Sequence, residues 1–139
     1  MKTITPFLLR FAMLATVLTI IFRYFLSYGI DTGTTVIIVS TAILYGLCMF
    51  MAGWYWGKKD GDYLPIHDVG FRFHLVTFLV HNAVSELWFI LGFNSKYERI
   101  ETIHITAICW SILLLLHFIL FLYARKNTIN SLDKTDLFE

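Results

Sequence analysis

Beyond Arg72 at its edge, six polar side chains crowd into the apolar stretch of residues 71–93: His74, Thr77, His81, Asn82, Ser85 and Glu86. At 100° per residue, His74, His81 and Ser85 nearly align on a helix, with Asn82 and Glu86 beside them on the same half. Phe73, Val76, Val80, Ala83, Leu87 and Ile90 make the other half. Such a segment is expected to turn its apolar half to lipid and its polar half to protein or water. Imidazole titrates near neutrality, so histidines beside a carboxylate suit the passage of protons or ions. The same groups also serve as plain hydrogen-bonding links between helices.

Glu86 is the most informative of these residues. A carboxylate at membrane depth costs on the order of 3 kcal/mol on insertion scales, so it must be protonated, paired or hydrated. Arg23 is the partner that depth suggests. It lies about six residues past the middle of its own apolar segment and Glu86 about four past the middle of its segment, which puts both ~6–9 Å outward of the midplane. Arg23 also shares a face with Ala12, Thr16, Thr19 and Ser27, small side chains that let another helix come close. An Arg23–Glu86 ion pair is therefore expected, within one chain or between subunits. The alternative is that Arg23 snorkels to the headgroups beside Tyr24 and Tyr28.

By depth, the other histidines extend the series into a ladder of His104, Glu86, His81, His117 and His74. His104 and His117 point to different faces of their helix, so a single narrow path in one monomer is not expected to use both. No cofactor is expected, with haem as the one alternative. Axial ligation needs two imidazoles from facing helices at one depth, and His117 with His81 or His74 meets that requirement loosely. The stretch lacks the glycines that usually make room for a macrocycle.

A second polar cluster lies in residues 58–70, where Asp60, Asp62, His67 and Asp68 offer oxygen and imidazole ligands to a divalent ion or a docking site to a partner. Their spacing matches neither an EF-hand nor a zinc motif. A tight Asp-Gly turn, followed by a proline-stiffened helix entry capped by Asp68, explains them as well. No phosphate-binding loop, nucleophile elbow or metalloprotease motif occurs. His81, Ser85 and Glu86 share only the composition of a hydrolase triad. Catalysis is not expected.

The elements that must position these groups follow from composition. Of the 139 residues, 58% are hydrophobic and only 15% charged, too few charges for the surface of a soluble domain. A bilayer core of about 30 Å needs about 20 apolar residues as a helix. Residues 5–28, 34–57, 71–93 and 102–123 each meet that length, which predicts an all-α integral membrane protein, a bundle of four transmembrane helices followed by a polar tail at 125–139. Four strands cannot close a barrel. Arg10 and Arg23 interrupt the first run, which reads as a retained helix rather than a cleaved signal. Cys48 and Cys109 belong to no ligand pattern and read as small apolar residues.

Basic residues orient the bundle. Lys2, Arg10, Lys58, Lys59, Arg72, Arg125, Lys126 and Lys134 fall on one side, against Arg23, Lys96 and Arg99 on the other, eight against three. The positive-inside rule then puts both termini in the cytoplasm, in the plasma (inner) membrane. A net charge of +1 gives no footprint for nucleic acid. Three function classes remain: a channel, ion- or proton-coupled transporter or membrane-depolarising effector; an accessory or immunity-type protein docked to a larger membrane partner; and a haem redox protein. Four short helices enclose little space, so the first class calls for a homo-oligomer in the bilayer.

Overall fold

The computed structural model describes residues 4–62 and 66–130, with the side chains of 66–68, 124–125 and 127–130 left out. The described chain is all helix and turn: α1 (Pro6–Asp31), α2 (Thr35–Gly61), α3 (Ile66–Ile90) and α4 (Ile100–Asn130). Each contains a stretch long and apolar enough to cross a membrane, the shortest being the 22 residues Val69–Ile90. At 1.5 Å per residue that stretch spans about 33 Å, a match to the ~30 Å hydrocarbon core. The chain has the build of a multi-pass membrane protein.

Local chemistry sets the ends of the helices. Thr5 caps α1 by accepting a hydrogen bond from the Leu8 N–H at 3.1 Å, and Pro6 begins the helix where no N–H is needed. α1 and α3 end alike. Gly33 (φ 64°) and Gly92 (φ 72°) take the left-handed conformation, and the next N–H bonds back across six residues, Thr34 to Gly29 O and Phe93 to Trp88 O. This Schellman turn reverses the chain within a few residues and favours glycine for its missing Cβ.

Contacts between the helices show how they run. Thr5, at the start of α1, meets Asp60 at the end of α2. Ser27, late in α1, meets Trp88, late in α3. Glu86, late in α3, meets His104, early in α4. Neighbours in sequence are thus antiparallel, and α1 and α3 are parallel. The α1–α2 and α3–α4 turns share one end, called here the turn end.

α1 is the hub. It packs against α2 and α3, while among the described residues the α4 backbone packs on α3 alone. The buried stripe of α1 is Leu8, Phe11, Ala15, Thr19, Arg23 and Ser27, one residue every turn. Its first half builds the apolar core with Met49, Ala52, Val69 and Phe73, where the Phe11 and Phe73 rings lie 4.7 Å apart. Its second half is polar, so the interior changes from apolar to polar along the bundle axis. Gly29 allows the closest approach of α1 and α2: a Cβ there would stand 2.9 Å from Ile38 Cγ1 and 3.3 Å from the Ile38 backbone nitrogen.

Several sequence expectations change. The helices are longer than their apolar runs. α2 continues through Lys58 and Lys59 to Gly61, α3 begins at Ile66, and α4 takes in the first residues of the expected tail, to Asn130. Polar residues at the ends of spans keep a helix going once it leaves the hydrocarbon, and the two lysines suit the C-terminal dipole of α2. The expected long middle loop is therefore taken up by helix at both of its ends, 58–61 in α2 and 66–70 in α3. The division of α3 into a lipid half and a protein half also fails in part. Phe73 is buried, and Val76 and Val80 pack against the core, whereas His74 is exposed. Ala83, Leu87 and Ile90 stay exposed as expected, so the division holds only toward the turn end, and of the polar residues His74 and Glu86 meet α4 while His81 meets Tyr45 of α2.

Candidate functional site

The polar groups fall into a series along the bundle. At the turn end, the Ser95 hydroxyl donates to Asp31 Oδ1 at 2.5 Å and so ties the α3–α4 turn to the end of α1. That turn also sends Glu98 inward. Its Oε2 receives Arg23 Nη2 at 2.5 Å and its Oε1 receives the Ser27 hydroxyl at 2.6 Å. Trp88 Nε1 donates to Ser27 Oγ at 3.1 Å, and the Arg23 guanidinium lies 5.7 Å from the centre of the Phe89 ring. The Arg23 and Glu98 side chains are only 5% and 7% exposed. In low dielectric such a pair holds its geometry strongly, although desolvation cancels much of its net contribution to stability.

The expected Arg23–Glu86 pair is therefore replaced by Arg23–Glu98. Glu86 instead meets His104 Nε2 at 2.9 Å, with side chains 38% and 55% exposed. The reason lies in helix length. α3 ends at Ile90, three residues short of its expected apolar run, so Glu86 stands about one turn from the end of the helix. It is near the end of its span and opposite the first turns of α4, shallower than its apolar run implied.

The middle of the bundle holds Thr19, Tyr45 and His81. The Tyr45 hydroxyl lies 3.1 Å from both Thr19 Oγ1 and His81 Nδ1. The Thr19 hydroxyl proton goes to Ala15 O at 2.7 Å. Tyr45 then donates to Thr19, His81 Nδ1–H donates to Tyr45, and His81 Nε2 keeps its lone pair, an assignment made from the hydrogen-bond network. Toward the opposite end, His74 and His117 bring their Nδ1 atoms to 3.0 Å, with the rings edge to face. Haem needs its two imidazoles on opposite faces of a macrocycle, and these two touch each other directly. Both His104 and His117 reach α3 from a single α4. On a helix they stand about 140° apart, one on each flank of the contact with α3. The ladder is thus three separate contacts: no hydrogen bond joins Glu86 to His81, or His81 to His117, among the described residues.

Between α1, α3 and α4, where α1 and α4 part, lies a chamber of about 360 Å³. Arg23, His81, Asn82, Ser85, Thr102 and Thr106 supply its polar wall, with Trp110 and Phe22 among its apolar neighbours. A second space of about 220 Å³, reaching Glu98 and Arg99, adjoins it and shares Arg23 and Thr102. The Arg23 side chain thus stands between a chamber deep in the bundle and one under the turn end. Two groups at this boundary lack partners: Arg23 Nε and Ser85 Oγ are buried with no hydrogen bond. Asn82 is satisfied within its own helix, donating to Phe78 O at 2.7 Å.

At the opposite end, the expected ion site does not assemble from its described members. Asp60 is fully buried and accepts from the Thr5 hydroxyl at 2.9 Å, whereas Asp62 is exposed. No group of three His, Cys, Asp or Glu side chains is placed to hold a metal among the described residues. The His67 and Asp68 side chains lie outside the described ones.

Sequence reasoning missed Glu98, Tyr45 and Thr102. Glu98 read as a loop charge and Tyr45 as one aromatic among many. The available signal was Arg23 itself, a buried cation that needs an acid from somewhere. No family model, curated protein or solved structure matches the chain.

Proposed function

We propose that this chain is a multi-pass protein of the plasma (inner) membrane, with both termini cytoplasmic, that moves small ions or protons through the chamber between α1, α3 and α4. The observation that carries this reading is a half-open, largely apolar space at membrane depth whose wall also holds a buried, paired arginine beside His81, Asn82 and the hydroxyl residues Ser85, Thr102 and Thr106. Ionisable side chains inside the membrane cost free energy and mark ion pathways by default. The Arg23–Glu98 pair, set between the two spaces, has the position of a gate. A chamber bounded by three helices, with α4 attached on one side only, suits completion by a second copy of the chain.

A second reading rests on α4. No residue of its membrane-length stretch is fully buried, and among the described residues its backbone packs on α3 alone. An accessory protein docking to a larger membrane partner would present such a helix.

Ion and proton flux into liposomes containing the purified protein, wild type beside Glu98→Gln, tests the first reading. Flux above empty liposomes that changes in rate in the variant supports it. Absence of flux across a range of pH and voltage contradicts it and favours the accessory role.

A further inference from the structure

We infer that the chamber between α1, α3 and α4 is a binding site for a small inorganic anion of the halide class, held by Arg23 and Ser85. The inference deepens the transport reading and rests on it for its biological use, though not for the binding itself.

Charge argues for the sign. Among the residues that line the chamber, Arg23 is the only one with a formal charge. No carboxylate faces it. Glu98 lies on the other side of the guanidinium, where both its oxygens are already engaged, one by Arg23 and one by Ser27. A cation in the chamber would meet the guanidinium ahead of the carboxylate paired behind it, whereas an anion meets the positive end of that ion pair in a medium of low dielectric.

Unmet hydrogen bonding argues for the ligand. Arg23 and Ser85 are 4% and 1% exposed, and each buries one polar atom without a partner, Nε and Oγ. A buried donor left unpaired costs about 1–3 kcal/mol, and more for a charged group. Neither atom is open to the chamber in this conformation, so an anion accepts from both only after the guanidinium and the Ser85 side chain turn toward it. Arginine is well suited to this because its donors diverge: Nη2 can stay on Glu98 while Nε–H serves the ligand.

Size argues for a small ion with water. A volume of about 360 Å³ is several times the ~30 Å³ that one water occupies in the liquid. The hydroxyls of Thr102 and Thr106 line the same space, and Thr106 donates to Thr102 O at 2.8 Å, which leaves its oxygen lone pairs to water. A hydrated halide fits this wall without a second charged residue.

The test is thermal unfolding of the purified protein in detergent, in sodium gluconate, titrated with sodium chloride, bromide or iodide at constant ionic strength. The expected result is a saturable rise in the unfolding midpoint for the wild type, with half-saturation raised at least tenfold in Ser85→Val and the response lost in Arg23→Gln. Thr106→Leu narrows the chamber without touching the ion pair and should weaken the response even if Arg23→Gln fails to fold. Replacing sodium by caesium should change nothing. A response that is absent, linear in salt, unchanged in Ser85→Val and Thr106→Leu, or dependent on the cation overturns the anion site. Saturable binding without liposome flux upholds the site and contradicts transport. Flux with no anion response does the reverse.

Discussion

Arg23 of α1 and Glu98 of the α3–α4 turn form a buried ion pair, Nη2 to Oε2 2.5 Å, between groups 75 residues apart in sequence. The pair closes the polar half of the bundle and draws the turn down onto α1. Removing one member leaves the other charge buried. Arg23→Met and Glu98→Leu should each lower stability by roughly 3–5 kcal/mol, and the double variant should lose less than either alone. Chemical unfolding of the four proteins in one detergent checks this. Additive losses would show that the two charges act independently.

Gly29 sits where α1 and α2 approach most closely. Gly29→Ala puts a methyl 2.9 Å from Ile38 Cγ1 and against its backbone, and should cost about 1–3 kcal/mol through overpacking. Gly46, on α2, has nothing within 4 Å of its missing Cβ, so Gly46→Ala should gain roughly 0.5–1 kcal/mol. Unfolding midpoints of the two variants should move in opposite directions.

Thr5 has two tasks, capping α1 through Leu8 N and donating to buried Asp60. Thr5→Val removes both. It should cost about 1 kcal/mol for the cap and about 1–3 kcal/mol for the unpaired carboxylate. Thr5→Ser should retain most of the wild-type stability, and a loss equal to that of Thr5→Val would contradict the double role.

Most of the fold was legible because four apolar runs of membrane length are unambiguous. The helix ends were not, since hydropathy stops at the edge of the hydrocarbon while the α2 and α4 helices do not. The polar residues of α3 were visible in the sequence, but their partners depended on helix register. α3 ends at Ile90, so Glu86 lies one turn from the helix end and meets His104, while Arg23 takes Glu98 from the turn. The inward reach of the α3–α4 turn is set by side-chain contacts such as Ser95 to Asp31, which no periodicity encodes.

The proposed orientation makes a simple prediction. A reporter that fluoresces only in the cytoplasm should be bright when fused after residue 130. An alkaline phosphatase that is active only outside should work when inserted at the Gly33 turn and fail when inserted near residue 62. The reverse pattern would invert the bundle and place Glu98 and the mouth of the chamber on the cytoplasmic side.

The most direct test of the central claim, that ions cross through this chamber, fills it from the α4 side. Thr106→Phe adds a ring to the chamber wall and leaves Arg23, Glu98 and the helix contacts of α1 unaltered. Liposome flux should fall at least tenfold while the unfolding midpoint and oligomeric state match the wild type. Flux equal to wild type, from a protein shown to carry the ring in the chamber, would mean that ions do not pass between α1, α3 and α4.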